Sequence, residues 1–350
     1  MRRYLLFGTE LYALPILHPI AAAAQAEGAE VAWFLDGSAA AQAAVPGQVR
    51  LPDAAAVRRW RPDAVFSASN WVPHFFPGAK VQVFHGFSVG KRSEARGHFR
   101  IRGWFDLYCT QGPATTQPFQ ALADRLGHFV VAETGWPKLD PLFAATAIGE
   151  DLRAAAAGRP VVMYASTFTE RLSSASALLP EIARQVAAGD RYWLLTLHPK
   201  TAPDLVARYR ALVGPHARFL EADALVPMLR AADVLVCDTS SVVPEFALQG
   251  KPVVTFRNNA VQPYMIDIAE PAALEPALRR AFAAEPALRA ELDALAARIH
   301  PYRDGRSSQR VLAATEALLT GRLRPRARKP ANLLRKLQMR LWLRYFGRAG

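Results

Sequence analysis

Cysteine is scarce. Two of 350 residues are Cys, and both, Cys109 and Cys237, end apolar strand-like runs without a Cys-x-x-Cys pair or a metal-ligand spacing. A disulfide framework and a thiolate metal site are thereby excluded, and the pair reads as reduced core residues of a cytosolic protein. Long hydrophobic runs are lacking too. No window approaches eighteen unbroken apolar residues, so no segment is predicted to span a membrane. The N-terminus, MRRYLLFGTELYALPIL, is interrupted by Gly8, Glu10 and Pro15 with no small-residue cleavage site in place. It reads as a first strand running into a first helix, not as a signal peptide. There is no internal repeat and no Asp-x-Asp pair. The nearest, Glu221-Ala222-Asp223, precedes a helix, where carboxylates serve as caps. A divalent-ion site needs carboxylates close together, so no metal is expected.

Acidic residues are missing from one region only. Residues 322–350 hold ten of the Lys and Arg and no Asp or Glu, whereas the whole chain carries a net charge of +13. The body is therefore nearly neutral, which argues against nucleic acid as a partner and for an electrostatic anchor. The tail reads as a Pro-punctuated linker, RLRPRARKP, and then a helix. In that helix Leu334, Leu337, Leu341 and Tyr345 share helical spacing beside Trp342 and Phe346, and Lys336, Arg340, Arg344 and Arg348 recur every four residues. Basic charge beside Leu, Trp, Tyr and Phe predicts a helix lying in an anionic membrane interface, with a solvated tail, or a helix docked on a partner or on RNA, as the alternatives.

The rest is rich in core. Half of the residues are hydrophobic, and apolar strand runs alternate with helical stretches almost throughout, which predicts an α/β protein with parallel sheets. At this length two domains are the default. Strands are expected at 4–7, 31–35, 64–67, 81–84, 107–110 and 129–132 in the first half. In the second they are expected at 160–164, 192–197, 218–220, 234–237 and 253–256, with a domain boundary in the Ala-rich stretch 144–158. The expected division is 1–145, 146–321 and the tail 322–350.

The most informative stretch is 228–256, MLRAADVLVCDTSSVVPEFALQGKPVVTF. It reads as a helix, a buried strand, a turn Asp238-Thr239-Ser240-Ser241, a helix to Gln249 capped by Gly250, and another buried strand. Consecutive hydroxyls at a helix mouth after a strand suit an anionic ligand, because the first N–H groups lack intrahelical partners and the dipole is positive there. The turn alone serves equally as an N-cap. Two histidines follow strands: His85, leading into Gly86 and a loop with Lys91, and His198 before Pro199 and Lys200. Carboxyl ends of parallel strands are where open α/β sheets hold ligands, and His85 is placed for general-base work. One strand-end histidine in each half implies a cleft between the domains. Two further strand-end motifs are Thr134-Gly135-Trp136-Pro137-Lys138-Leu139-Asp140 and Tyr164-Ala165-Ser166-Thr167-Phe168.

Assembled, the chain resembles the CDP-glycerol glycerophosphotransferase family, the teichoic-acid primases and polymerases. The resemblance rests on ordered motifs over residues 80–310. These are HG with a following Lys (His85, Gly86, Lys91), G-x-P-[RK]-x-D (Gly135, Pro137, Lys138, Asp140), YAxTF (164–168), HP (His198, Pro199), AADVLxxDxSSxxxEFALxxKPVV (231–254), and a closing Asp304-Gly305 with Ser307, Ser308 and Arg310.

What the resemblance implies is a GT-B fold, α/β, of two Rossmann-like doubly wound domains facing a central cleft, here followed by the basic C-terminal amphipathic helix. It implies a CDP-polyol donor, release of CMP, a membrane-associated glycan acceptor, no cofactor and no metal. His85 would be the general base. His198 with Thr239, Ser240 and Ser241 would hold the phosphates, Glu245 the ribose, and Lys91, Lys138, Ser308 and Arg310 would stand around the donor. The expected location is cytoplasmic, peripheral on the inner face of the membrane. Departures from the family pattern, FSVGKR where TPLK is usual and DTSS where DYSS is commoner, leave ribitol phosphate or a sugar-linked donor open. High Ala and Arg content suggests a GC-rich genome and a capsule or other surface glycan as acceptor. A GT-B glycosyltransferase or nucleotide-sugar epimerase is the alternative, distinguished by the nucleotide released.

Overall fold

A computed structural model describes residues 1–38, 48–87 and 99–345. By packing the chain forms two units, residues 1–140 with 298 onward, and residues 141–297. The sheet of the first unit is built from β1 (Arg3–Gly8), β2 (Glu30–Leu35), β3 (Val49–Arg50), β4 (Ala64–Ser67), β5 (Ala79–Gln82), β6 (Leu107–Thr110) and β7 (Val130–Glu133). All pairings are parallel and the order is β3-β2-β1-β4-β5-β6-β7. The second unit holds β8 (Val161–Ser166), β9 (Tyr192–Leu197), β10 (Ala217–Phe219), β11 (Val234–Cys237), β12 (Val253–Phe256) and β13 (Met265–Ile268). They too are parallel, in the order β10-β9-β8-β11-β12-β13.

The central strands read as unbroken apolar runs because helices cover both faces of such sheets; β8, β9 and β11 are buried along their whole length. In each sheet the strand order reverses beside the first strand, at β1/β4 and at β8/β11. Loops leaving the carboxyl ends there diverge and open a crevice, the usual ligand position of doubly wound folds. Two strands were not expected. β3 is only two exposed residues, and β13 is an edge strand whose alternate burial follows a polar, Pro-containing stretch.

The expected division differs from the packing. Residues 298–321, assigned to the second domain, belong to the first unit. The cause lies in three tight contacts. The Asp140 carboxylate accepts from the backbone N–H groups of Ser307 and Ser308, each at 2.8 Å. Nε2 of His300 accepts from the Trp136 N–H at 3.0 Å. A Cβ on Gly112 would lie 2.6 Å from the Ile299 carbonyl, so only glycine admits that backbone.

The tail also differs from its expectation. The predicted linker is strapped to the first unit: Gly127 O accepts from the N–H groups of Arg326 and Ala327 at 2.7 and 2.8 Å, and Lys329 pairs with Asp106 at 2.7 Å. The helix Leu333–Trp342 then docks through Met339, which is buried in the aromatic core with Phe7, Phe76 and Phe84. Trp342 stacks on Trp71 at 4.6 Å and Tyr345 on Phe75 at 4.8 Å. The connection from β4 to β5 carries no helix, so this face of the sheet lacks its usual cover, and the tail supplies apolar side chains there. Phe346 and Arg348 lie outside the described residues.

Candidate active site

In the second unit the loops after β8, β9, β11 and β12 converge around Asp238. Its carboxylate is fully buried and accepts from Ser166 Oγ (2.6 Å), the Thr167 N–H (3.0 Å), and both the N–H and Oγ of Ser174 (3.0 Å each). A buried charge is tolerable only with such donors, and these bonds are of the strong, charge-assisted kind. Asp238 therefore pins the YAxTF strand end to the DTSS turn, which explains why the two motifs occur together. Thr239 Oγ1 accepts from the Asn259 N–H at 3.1 Å, and Asn258 Nδ2 donates to the Asp238 carbonyl at 3.2 Å.

The helix after the turn is Val242–Ala247, six residues and shorter than the predicted run to Gln249. Its axial dipole is correspondingly small. Ser240 Oγ accepts from the Val242 N–H at 3.3 Å, so that hydroxyl acts as a cap, whereas exposed Ser241 makes no capping bond. Among the described residues no acceptor faces the N–H groups of Ser240 and Ser241. Any anion held here would meet backbone N–H groups, not a long helix. Glu245 is buried rather than lying on the helix surface.

His198 follows β9 half-buried. Its Nδ1 accepts from the Lys200 N–H at 3.1 Å, which leaves the ring proton of the neutral form on Nε2. The ring packs at a tilt against exposed Phe168, centroids 4.3 Å apart, and the Lys200 ammonium lies 5.3 Å from the Phe168 ring. Burial and then the Lys200 charge pull the His198 pKa below its ordinary value and favour the neutral ring.

In the first unit β5 ends at Gln82, and Phe84 turns the chain with φ 56°, a left-handed conformation rare outside glycine. Its buried ring packs among Tyr108 and Phe119, which holds the turn in place. The turn presents His85, whose Nδ1 lies 3.1 Å from the Ala68 carbonyl. A carbonyl only accepts, so Nδ1 carries a proton, and the Nε2 of neutral His85 carries a lone pair that can take one and meets no donor among the described residues. Both flanking carbonyls are held: Phe84 O by Trp136 Nε1 at 3.4 Å and Gly86 O by Gln111 Nε2 at 2.9 Å. Tyr12 packs on the imidazole at 5.0 Å.

The remaining candidates divide. Lys91 lies outside the described residues. Lys138 is in the first unit, its ammonium 5.2 Å from the Trp136 ring. Ser308 Oγ donates to Asp140 at 2.6 Å, so the N-terminus of the helix Ser307–Leu319 already holds an anion of its own. Burial raises the Asp140 pKa, and the bonds from Ser308 and Ser307 oppose that. Arg310 is an ion-pair partner of Asp304 and stacks 4.1 Å over Tyr302. In this structure Ser308 and Arg310 hold the closing DG element together. The sequence reading missed Gln111 and Tyr12, which nothing in the motifs marks; Phe168 and Asp238 stood inside quoted motifs without a role. Among the described residues no three His, Cys, Asp or Glu side chains group as metal ligands, and no helix is long and apolar enough to cross a membrane.

Two Rossmann-like units, each with its loops at the carboxyl ends of parallel strands, are the parts of a GT-B type fold. Residues 107–265 match the model of the family described as CDP-Glycerol:Poly(glycerophosphate) glycerophosphotransferase. The chain is an enzyme of the CDP-glycerol glycerophosphotransferase type, as its motifs imply. No curated protein matches it in sequence. Among solved structures it is similar to the wall teichoic acid polymerase TagF (14% identity, TM-score 0.65, 92% of this chain and 89% of that one). It is also similar to a putative UDP-N-acetylglucosamine 2-epimerase from Listeria monocytogenes (15%, 0.65, 93% and 99%). A UDP-GlcNAc 2-epimerase from Neisseria meningitidis bound to UDP-GlcNAc is a third (11%, 0.60, 91% and 100%). At these identities the likeness fixes the fold alone.

Proposed function

We propose that the protein transfers a polyol phosphate, glycerol phosphate first, from a CDP-linked donor to a hydroxyl of a membrane-associated surface-glycan or teichoic-acid-like acceptor, releasing CMP. The observation that carries this reading is the pinned His85 ring, which combines a donated Nδ1–H with an available Nε2. Nε2 removes the acceptor hydroxyl proton as the oxygen attacks the distal phosphorus; the bond from that phosphorus to the bridging oxygen breaks and CMP leaves with the electron pair. His198 Nε2–H, the N–H groups of Ser240 and Ser241, and Thr239 would meet the growing negative charge, and Glu245 and Lys138 would complete the donor site. No metal is assigned a role in these steps.

Two TagF structures carry histidine substitutions, and one of these variants was also soaked with CDPG, which agrees with CDP-glycerol as the donor here. The exposed leucines and tryptophan of the tail helix, beside its arginines, support attachment to the inner face of an anionic membrane. Purified protein given CDP-glycerol is expected to release CMP only with a lipid-linked glycan acceptor, and His85→Ala to abolish it. Release of UDP from a sugar nucleotide, with no CMP from CDP-glycerol or CDP-ribitol, would replace this reading with a glycosyl-transfer or epimerase one.

A further inference from the structure

The docked tail helix forms one wall of a cavity of about 300 Å3 in the first unit, and Arg100, Arg102 and Arg335 line it together with Trp71, Trp104 and Trp342. Among the described residues none of these arginines forms an ion pair. Three guanidinium groups around one space, with no carboxylate among the described residues that line it, repel one another, and an anion would relieve that repulsion. The Arg102 pKa is lowered, first by burial and then by Arg100, with Arg335 adding to it. Nearby His74 is pushed down to about 4 by burial and by Arg340, Lys336 and Lys80. Burial is the larger cause of both shifts, and neighbouring cations add to it in each case.

The cavity opens beside an apolar ridge. Leu334 is 84% exposed and Trp342 60%, with Leu333, Leu337 and Leu341 exposed beside them. A guanidinium fork binds phosphate oxygens in pairs, and indole rings favour the boundary between headgroups and acyl chains. The volume is at the lower end for small-ligand pockets and is ample for a phosphate headgroup.

We propose that this cavity seats the phosphate of an anionic phospholipid headgroup, so that the body of the protein and its tail bind the membrane as one composite surface. Arg100 and Arg102 bring the charge from the body and Arg335 from the helix, while the leucine ridge enters the acyl boundary. The proposal rests on the membrane attachment described above and adds a defined site to it. The tail is then not a free anchor: its straps, such as Asn332 Nδ2 to the Arg102 carbonyl at 2.9 Å, bring Arg335 to the other two arginines.

The test is flotation of the full chain with vesicles of phosphatidylcholine alone, and of phosphatidylcholine with about a quarter phosphatidylglycerol. The unmodified protein should float only with the anionic vesicles. Diffuse surface charge costs roughly fivefold in binding per arginine removed, wherever it sits. Arg100→Gln with Arg102→Gln should therefore weaken binding at least about tenfold more than the equal charge removal Arg324→Gln with Arg328→Gln. Arg335→Gln should lower binding as well and serves if the first pair does not fold. Equal losses in the two pairs would overturn the cavity and leave membrane attachment standing. No flotation with either vesicle would overturn both. Stabilisation by inorganic phosphate that Arg100→Gln with Arg102→Gln removes, without flotation, would assign the cavity to a soluble anion and overturn the lipid.

Discussion

His85 and His198 each stand in a loop that leaves the carboxyl end of a parallel strand, yet their surroundings fix opposite protons. His85 gives its Nδ1–H to the Ala68 carbonyl and keeps Nε2 as an acceptor; His198 receives the Lys200 N–H on Nδ1 and keeps Nε2 as a donor. One can take a proton from a hydroxyl and the other can hold a phosphate oxygen. Residue type is the same in both, and each stands in a loop at the carboxyl end of a parallel strand, directly after β9 for His198 and beyond the Phe84 turn for His85. What separates their chemistry is the partner of the other ring nitrogen, a carbonyl in one unit and an amide in the other.

The comparison is broken most strongly at His85. His85→Ala should lower acceptor-dependent CMP release by roughly a hundredfold to ten-thousandfold, the range of a lost general base, and His85→Gln should recover nothing because an amide does not take the proton. At His198 the alanine variant should lose roughly tenfold to a hundredfold, as expected for a hydrogen bond to a charged group. His198→Gln should recover much of this, since an amide NH2 replaces the Nε2 donor. Steady-state CMP release compares the four directly, and an equal failure of both glutamine variants would remove the distinction.

The scaffolds behind the two histidines should differ in stability. Asp238→Ala leaves the Ser166, Thr167 and Ser174 donors buried without their carboxylate, at a cost of about 3 kcal/mol in the second unit. A denaturant titration followed by near-ultraviolet dichroism reads that loss. In the first unit His300 is buried, its Nε2 accepts from Trp136, and its pKa is pushed from 6.5 down to about 4 by burial above all. The unfolded chain takes up the proton first as pH falls, so the stability of the first unit should be intact above about pH 6.5 and drop between there and pH 4. The loss should amount to about 3 kcal/mol. His300→Gln, whose carbonyl oxygen can accept the Trp136 N–H, should flatten that slope. The smallest effect is expected at Gly103, at φ 73°, where a Cβ would approach Pro330 Cγ to 2.5 Å. Gly103→Ala should loosen the tail, read as quicker proteolysis after Arg328, with CMP release from a soluble acceptor little changed.

The strands were largely legible because buried parallel strands are short apolar runs; β4, β6, β9, β11 and β12 fall where the runs do. What periodicity could not show was which unit a late segment joins. Residues 298–321 look like the next helix of the second half, whereas the Asp140 carboxylate at Ser307 and Ser308, the His300 bond to Trp136 and the Arg2–Glu316 ion pair bind them to the first. The same holds for site roles. Chemistry at strand ends marked His85 and His198, but Ser308 and Arg310, polar residues in a motif, are consumed by Asp140 and Asp304. The tail was readable as a helix with a basic and an apolar side, while its docking through Met339 depends on a gap over the β4–β5 connection that no local pattern records.

The most direct test of the account is nitrogen-15 NMR of the imidazoles at neutral pH, assigned with His85→Gln and His198→Gln. The Nδ1–H tautomer for neutral His85 together with the Nε2–H tautomer for His198 is the predicted result. The same tautomer at both would contradict the division of roles between base and phosphate donor.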